Sequence, residues 1–329
     1  MTSRRDVVRL LAGSLALAVP LGRAAPSTPG IPHIGYLSMG SLKTNGVFLD
    51  ALRDGLRELG WIDGTNVVID IRFAGVDGGR FPQYAASLVK DKPSALVTTC
   101  IPSTRAAKRA TQTIPVVMSV DGDPVEASLV SSYARPGGNV TGSSTLFEEL
   151  FPKWLELLIA AAPKARDIAV LGNPDNPVEP YYWARFEEAA GRAGVKVLQF
   201  GTADPARFAT VFADMKRQGA GALVVMTEAF LAGHLQRIVP LANGAPLPAI
   251  YGYSEFAEAG GLMSYGLSFR DYYKGVARYV DQVLKGAPPA DLPVQQPTKI
   301  ELAINLGTAR KLGITMPPQL LARADKVIE

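Results

Sequence analysis

The sequence predicts an α/β protein of two Rossmann-like lobes, each a mostly parallel sheet with helices on both faces. Three observations support this prediction. The length of 329 residues suits two lobes of roughly 150 residues each. Short β-branched runs alternate with helical stretches, as they do in parallel βαβ units. A glycine-rich block at 135–142 interrupts the alternation once, and we interpret it as the passage between the lobes.

The first series of elements has clear periodic patterns. Apolar residues from Phe48 to Leu59 recur at spacings of four, four and three, which indicates a helix, and Gly60 follows as its stop signal. Residues 66–73 are apolar at every second position, as in a strand with one buried face. The predicted elements are strand 33–38, helix 45–59, strand 66–73, helix 81–90, strand 95–99, helix 103–111 and strand 115–119.

The second series repeats the alternation, and a less regular tail follows it. We expect the tail to return to the first sheet and then cross again to the second. The predicted elements of the second series are helix 153–162, strand 168–171, helix 181–193, strand 195–200, helix 208–218, strand 222–226, helix 229–241 and strand 249–251. Those of the tail are strand 261–265, helix 269–284, strand 298–305 and short helices at 308–312 and 317–324.

Residues 1–25 have the pattern of a secretory signal peptide. Arginines precede an apolar run at 10–21, and small residues follow it before a cleavage point. The apolar run is shorter than the roughly 20 residues that a membrane-spanning helix needs. Ser-Arg-Arg ahead of it resembles the twin-arginine export signal. No cysteine follows the run, so we expect a periplasmic protein without a lipid anchor.

The charge of the chain gives no sign of a nucleic-acid partner. The formal net charge is +4, and four arginines against one aspartate within residues 1–24 supply three of these charges. The remaining chain has 30 basic and 29 acidic residues and no run of Lys or Arg that would neutralise a row of phosphates. We therefore expect no binding of nucleic acid.

Motifs for catalysis or metal binding are absent from the sequence. It contains neither a Gly-x-Ser-x-Gly nucleophile turn nor a phosphate-binding Gly-x-x-x-x-Gly-Lys-Ser/Thr loop, and no Gly-x-Gly-x-x-Gly follows the first strand. One Cys and two His exclude an internal disulfide and a Cys/His zinc cage. Cys100 ends a predicted buried strand and reads as a small apolar residue. We expect no catalytic residues, no metal and no cofactor.

Polar residues follow the predicted strands at the edge where open α/β sheets bind ligands. The candidate ligand-binding residues are Ser38, Thr99, Ser103, Asp121 and Asp123 in the first series and Asn173, Asn176, Thr227, Tyr251 and Tyr253 in the second. Helix capping is the alternative role of Ser103 and Asp123. Core packing is the alternative role of Tyr251 and Tyr253.

Several segments resemble a known family. Arg-Pro-Gly-Gly-Asn-Val-Thr-Gly at 135–142 is the most specific, and 115–125, 60–67, 169–174, 260–266, 292–299, 304–305 and 322–325 extend the match. From about residue 31 to its end, the chain resembles the bacterial ABC-transporter substrate-binding family with the type I periplasmic-binding fold. Some relatives in that family bind amino acids, including tryptophan.

The resemblance implies two lobes joined by three crossing segments. One lobe would comprise 31–142 and 260–296, and the other 143–259 and 297–329. The lobes would close on a small ligand and deliver it to a permease in the inner membrane. The resemblance also places a ligand carboxylate near Thr99 and Ser103 and its ammonium near Asp121 or Asp123. Cys100-Ile101-Pro102 depart from the family, in which smaller or more polar residues are common at these positions.

The expected function is therefore that of a monomeric periplasmic receptor for a small polar solute, an amino acid or related zwitterion, which it releases unaltered. One alternative is an exported α/β enzyme, for which Asp121 and Cys100 are the best available reactive groups. A second alternative is a ligand-responsive gene regulator. A regulator needs an N-terminal pair of DNA-binding helices, and residues 1–30 have the signal-peptide pattern instead.

Overall fold

The computed structural model describes residues 30–75, 78–176 and 178–329, and the predicted signal peptide at 1–25 lies outside the described residues. One sheet has five parallel strands in the order β2-β1-β3-β4-β5. Its strands are β1 (His33–Ser38), β2 (Val68–Phe73), β3 (Ala95–Thr98), β4 (Val116–Asp121) and β5 (Val140–Thr145).

The other sheet has seven strands in the order β12-β11-β10-β9-β8-β6-β7. Only the β10–β11 pair is antiparallel. The strands are β6 (Asp167–Gly172), β7 (Lys196–Gly201), β8 (Ala222–Val225), β9 (Ala249–Tyr253), β10 (Met263–Leu267), β11 (Glu301–Asn305) and β12 (Lys326–Ile328). The predicted α/β class with two mostly parallel sheets is confirmed.

Helices accompany both sheets. Those of the first part of the chain are α1 (Leu42–Glu58), α2 (Phe81–Lys90) and α3 (Ile101–Ala110). Those of the second part are α4 (Phe151–Ala161), α5 (Glu179–Ala193), α6 (Phe208–Arg217), α7 (Ala229–Gly233), α8 (Leu235–Gly244) and α9 (Ser254–Glu258), and the tail adds α10 (Phe269–Leu284), α11 (Leu306–Lys311) and α12 (Pro318–Ala322).

Helix α10 belongs spatially to the five-stranded sheet although it comes late in the chain. It packs against α1 and contacts β3, β4 and β5. Gly55 of α1 permits this packing, because a Cβ there would lie 2.9 Å from both the Cβ of Ala277 and the Cα of Lys274. The hydroxyl of Ser268 caps α10 by accepting the backbone N–H of Asp271 at 3.2 Å. We call the five-stranded sheet with α1, α2, α3 and α10 the first lobe, and the seven-stranded sheet with its helices the second lobe.

The chain crosses between the lobes three times. The first crossing follows β5, the second follows β10, and the third lies between Gln295 and β11. At the third crossing, the N–H of Gln295 still donates to the Gly142 carbonyl of β5 at 3.0 Å. These crossings match the three segments that the family resemblance implies.

The glycine-rich block at 135–142 is not the passage between the lobes. Its last residues begin β5, which pairs with β4 in the five-stranded sheet. Gly142 has a φ of +130°, and a Cβ at this position would overlap the backbone of Met118 in β4. The glycine is therefore needed for close strand packing, and the chain leaves the first lobe only after Thr145.

The predicted lobe assignment also differs from the structure at residues 260–267. This stretch contains β10, which pairs with β9 and β11 in the seven-stranded sheet rather than joining the first lobe. The predicted helix 229–241 is two helices, because the backbone at His234 has a φ of −117° and leaves the helical range.

Among the described residues, no helix combines the length and apolar character that crossing a membrane requires.

Candidate functional site

A cavity of about 200 Å³ lies between the two sheets, at the carboxyl ends of their strands. Ligands bind at this edge in open α/β folds. Aromatic side chains form much of its lining, from both lobes: Phe48, Phe147, Tyr182, Phe230, Tyr253, Phe269, Tyr272 and Tyr273. Such a lining suits a ligand with an apolar or aromatic part and a few polar groups.

Six of the ten predicted site residues line this cavity. They are Thr99, Asp121, Asn173, Asn176, Thr227 and Tyr253. The first two come from the first lobe and the other four from the second. These residues, predicted from the ends of strands far apart in the sequence, therefore lie at one site in the structure. Thr227 has its hydroxyl buried without a hydrogen-bond partner among the described residues. Such an unpaired polar atom in a cavity wall is available to a ligand.

The other four predicted residues do not line the cavity, and the two serine hydroxyls among them are engaged within the protein, whereas the buried Tyr251 hydroxyl has no hydrogen-bond partner among the described residues. Ser38 is 1% exposed and accepts a hydrogen bond from the Thr99 hydroxyl at 2.9 Å, so it orients a lining residue. Ser103 is fully buried at the start of α3. Its hydroxyl accepts the Cys100 N–H at 3.1 Å and donates to the Cys100 carbonyl at 2.9 Å.

Asp123 and Tyr251 likewise have structural roles. A carboxylate oxygen of Asp123 accepts the backbone N–H groups of Val125 at 2.7 Å and Glu126 at 3.2 Å, which stabilises the turn after β4. Tyr251 is completely buried and stacks on Phe256 with ring centroids 4.6 Å apart. Capping and packing therefore account for these two residues.

Asp121 is the acidic group of the first-lobe wall. One of its carboxylate oxygens accepts the Thr145 hydroxyl at 3.0 Å, and the other accepts the hydroxyl of Tyr182 from the second lobe. Burial raises the pKa of the Asp121 carboxyl to about 7, because the hydroxyl donors offset only part of the loss of hydration. The carboxyl lacks a cationic partner among the described residues.

Glu228 is an acidic group of the second-lobe wall; it follows the same predicted strand as Thr227 but is not among the ten candidate residues. Its carboxylate caps α7 by accepting the N–H groups of Leu231 at 2.6 Å and Phe230 at 3.1 Å, and Asn173 donates to it at 3.3 Å. Burial raises the pKa of the Glu228 carboxyl to about 7. Its position directly after the predicted site residue Thr227 was a sequence signal that could have identified it.

Glu179 is a third buried carboxyl, behind the wall of the cavity. It is 6% exposed, and its Oε2 atom has no hydrogen-bond partner among the described residues. Burial, together with the nearby Glu228, raises the pKa of the Glu179 carboxyl to about 7. Glu179 and Tyr182 both project from the first turns of α5, where no sequence signal distinguishes them from ordinary helix residues.

We expect the ligand-free protein to lose stability as the pH rises from about 4 to about 7. Asp121, Glu179 and Glu228 have folded pKa values near 7, above the unfolded values of about 4, so the folded state binds more protons over this range. Glu179→Gln keeps a neutral side chain at every pH. The variant should reduce the loss of unfolding free energy between about pH 4 and pH 7 by about 1–3 kcal/mol. Thermal unfolding at several pH values measures this difference.

Glu188→Gln is the matched control for this prediction, because Glu188 lies on the exposed side of the same helix in ion pairs with Arg185 and Arg192. It should leave the slope of unfolding free energy against pH unchanged. Equal slopes for Glu179→Gln and the parent protein would contradict the assignment of Glu179 as a buried neutral acid.

The thiol of Cys100 lines the cavity but is not activated. Burial raises its pKa, and its hydrogen bond to Ser103 at 3.3 Å offsets this only in part. A reactive cysteine needs a lowered pKa, since the thiolate is the nucleophile. Within the described ranges, no cluster of three or more His, Cys, Asp or Glu residues is arranged to hold a metal ion.

The two lobes touch each other around the cavity. Helix α1 of the first lobe packs on α7 of the second, and a Cβ on Gly233 would lie 2.9 Å from the Thr44 carbonyl oxygen. The Tyr182–Asp121 hydrogen bond joins the lobes at another point. Phe48 of α1 packs edge-on against Tyr253 of β9, with ring centroids 6.1 Å apart. The contacts between the lobes thus border the cavity on several sides.

Comparisons with known proteins agree with this architecture. Residues 44–328 match the profile of the family described as ABC transporter substrate binding protein. The chain is 28% identical over 267 residues to the "Tyrosine-binding protein" of Clostridioides difficile (strain R20291). The aligned region covers 81% of this chain and 75% of the relative.

Two solved structures are similar in sequence as well as in fold. The ABC domain in complex with L-Trp from Streptococcus pneumonia has a TM-score of 0.72 and 28% identity, with coverage of 91% of this chain and 100% of that chain. The ligand-free, open structure of a Clostridium difficile substrate binding protein has a TM-score of 0.57 and 25% identity, with coverage of 91% and 99%.

Proposed function

This chain belongs to the ABC transporter substrate-binding protein family, and on that premise we propose that it is the periplasmic receptor of an importer. In this proposal the mature protein is a monomer, exported by its N-terminal signal. Its two lobes close on an aromatic amino acid or a related amine-bearing solute and deliver it unaltered to the permease.

The position of the cavity carries the proposal. Aromatic and polar side chains from both lobes line one space at the strand ends. A ligand that contacts both walls binds the closed arrangement more tightly than the open one, so it shifts the population towards closure. The relative named for tyrosine and the neighbour bound to L-Trp support an aromatic amino acid as the class of solute.

The contacts between the lobes support a closing motion. The present structure has a higher TM-score with the L-Trp complex than with the ligand-free, open structure, 0.72 against 0.57. The Gly233–Thr44 contact and the Tyr182–Asp121 hydrogen bond belong to the closed arrangement. We propose that opening separates these pairs by movement at the three crossing segments.

Thermal unfolding of the mature protein with added solutes tests the proposal. L-tyrosine, L-tryptophan and their decarboxylated and carboxyl-blocked analogues should include a stabilising ligand, with about 2.7 kcal/mol gained at a concentration of 100 times Kd. L-alanine serves as the control without a ring. Small-angle scattering should show contraction on binding. Failure of every aromatic amine and amino acid to stabilise the protein would refute the proposed function.

A further inference from the structure

We propose that the solute is a cation: an aromatic amine without a free carboxylate, whose ammonium group is held between Asp121 of the first lobe and Glu228 of the second. This inference rests on the proposed receptor function and names the chemical class of its ligand. It departs from the zwitterionic amino acid that the family resemblance implies.

The main observation behind the inference is that the ionisable side chains lining the cavity are acidic. Among the described residues that line it, none is Lys, Arg or His, whereas Asp121, Asp175 and Glu228 carry carboxyl groups. Two further carboxyl groups lie nearby: the half-buried Glu148 acts electrostatically on Asp121, and the buried Glu179 interacts with Glu228. In their ionised form these groups repel a ligand carboxylate and attract an ammonium group, and an ammonium group bound beside them favours that ionised form.

The side chains beside which the family resemblance places a ligand carboxylate, Thr99 and Ser103, already donate their hydroxyls within the protein. The Thr99 hydroxyl donates to Ser38, and the N–H of Cys100 donates to the Ser103 hydroxyl. In the first turn of α3, Pro102 has no N–H, and the N–H of Thr104 bonds to the Cys100 carbonyl. The start of α3 therefore offers little to an anionic group.

Acceptors for an ammonium group, by contrast, are available from both lobes. Within the described part of the chain, the hydrogen-bond donors to Asp121 and Glu228 are all neutral: hydroxyls, backbone N–H groups and the Asn173 amide. Both carboxyl groups line the same cavity as the ring of Tyr253. The unpartnered Thr227 hydroxyl provides a third acceptor in the same wall. A primary ammonium has three N–H donors to satisfy.

The ring of the ligand would lie among the aromatic side chains of the cavity. Phe147 packs edge-on against Tyr253, with centroids 5.5 Å apart, and Phe48 contacts the same ring from the first lobe. An ammonium group beside the face of such a ring gains a cation–π attraction. The aromatic lining and the acidic pair are thus arranged for an arylalkylamine.

Matched ligand pairs test the inference by calorimetry on the mature protein, at a pH above 7. The pairs are tyramine with L-tyrosine and tryptamine with L-tryptophan. L-tyrosine amide, in which the carboxyl group is blocked, is a third compound to compare with L-tyrosine. We expect the amines and the amide to bind at least about tenfold more tightly than the parent amino acids. Tighter binding of the parent amino acid would overturn the inference and leave the proposed function intact. Binding of none would overturn both.

A charge-removing variant supplies an independent test. Glu228→Gln keeps an oxygen that can cap α7 but removes the negative charge, so tyramine affinity should fall by about tenfold or more and L-tyrosine affinity by less. Glu187→Gln changes an exposed residue of α5 and should alter neither. Equal losses for both ligands in Glu228→Gln, with an unchanged unfolding transition, would show that Glu228 acts on the fold of the site and not on the ammonium.

Discussion

Asp121→Asn is expected to lower affinity for the amine-bearing solute by a factor of at least about 30. Removal of one partner of a buried charge pair costs about 2–5 kcal/mol, and each 1.4 kcal/mol is a factor of ten in Kd. Asparagine keeps one side-chain oxygen to accept either the Tyr182 or the Thr145 hydroxyl, and its amide NH2 can donate to the oxygen of the other hydroxyl. The variant should therefore stay folded, and calorimetric titration should attribute the loss to the missing charge.

Asp123→Asn is the matched control two residues away. Asp123 caps the turn through Val125 and Glu126 and does not line the cavity. We expect at most about 1 kcal/mol of lost stability, because asparagine is also a good cap, and ligand affinity within about twofold of the parent. Comparable losses of affinity in both variants would mean that the loop after β4, and not the Asp121 carboxylate, determines binding.

The contrast between these two aspartates shows how far the sequence predicts the site. Both follow the predicted strand 115–119, and both carry a carboxylate suited to an ammonium group. In the structure Asp121 ends β4 and lines the cavity, whereas Asp123 lies beyond the strand and closes a turn. Ser103 raises the same difficulty, because the pattern that marks a strand-end ligand contact also marks a helix cap.

The parallel sheets were predictable because their strands are buried apolar runs separated by amphipathic helices. The prediction missed β5, whose sequence Val-Thr-Gly-Ser-Ser-Thr lacks an apolar run and resembles a loop. It also placed β10 with the wrong lobe, because pairing between strands distant in sequence leaves no local signal. For the same reason the sequence did not predict Glu179 and Tyr182 as site residues, because their positions at the cavity depend on where α5 packs in the folded protein.

Gly233→Val is expected to weaken ligand binding by between about tenfold and a hundredfold while leaving each lobe folded. A Cβ at Gly233 would lie 2.9 Å from the Thr44 carbonyl oxygen of the opposite lobe, and a backbone oxygen cannot move aside as a side chain can. Overpacking of this kind costs about 1–3 kcal/mol. The cost applies only when the lobes are together, so it lowers the fraction of closed protein and raises the apparent Kd in proportion.

Gly191→Val isolates the steric effect at the lobe contact. Gly191 also lies in the last turn of its helix, but its Cβ would meet no atom within 4 Å, so the valine brings no steric conflict and changes only helix propensity, in which glycine is the poorer of the two residues. Scattering with saturating ligand should show full contraction for Gly191→Val and partial or no contraction for Gly233→Val. Normal contraction and affinity in Gly233→Val would mean that α1 and α7 do not approach this closely when ligand is bound. The Thr44–Gly233 contact would then have no part in closure.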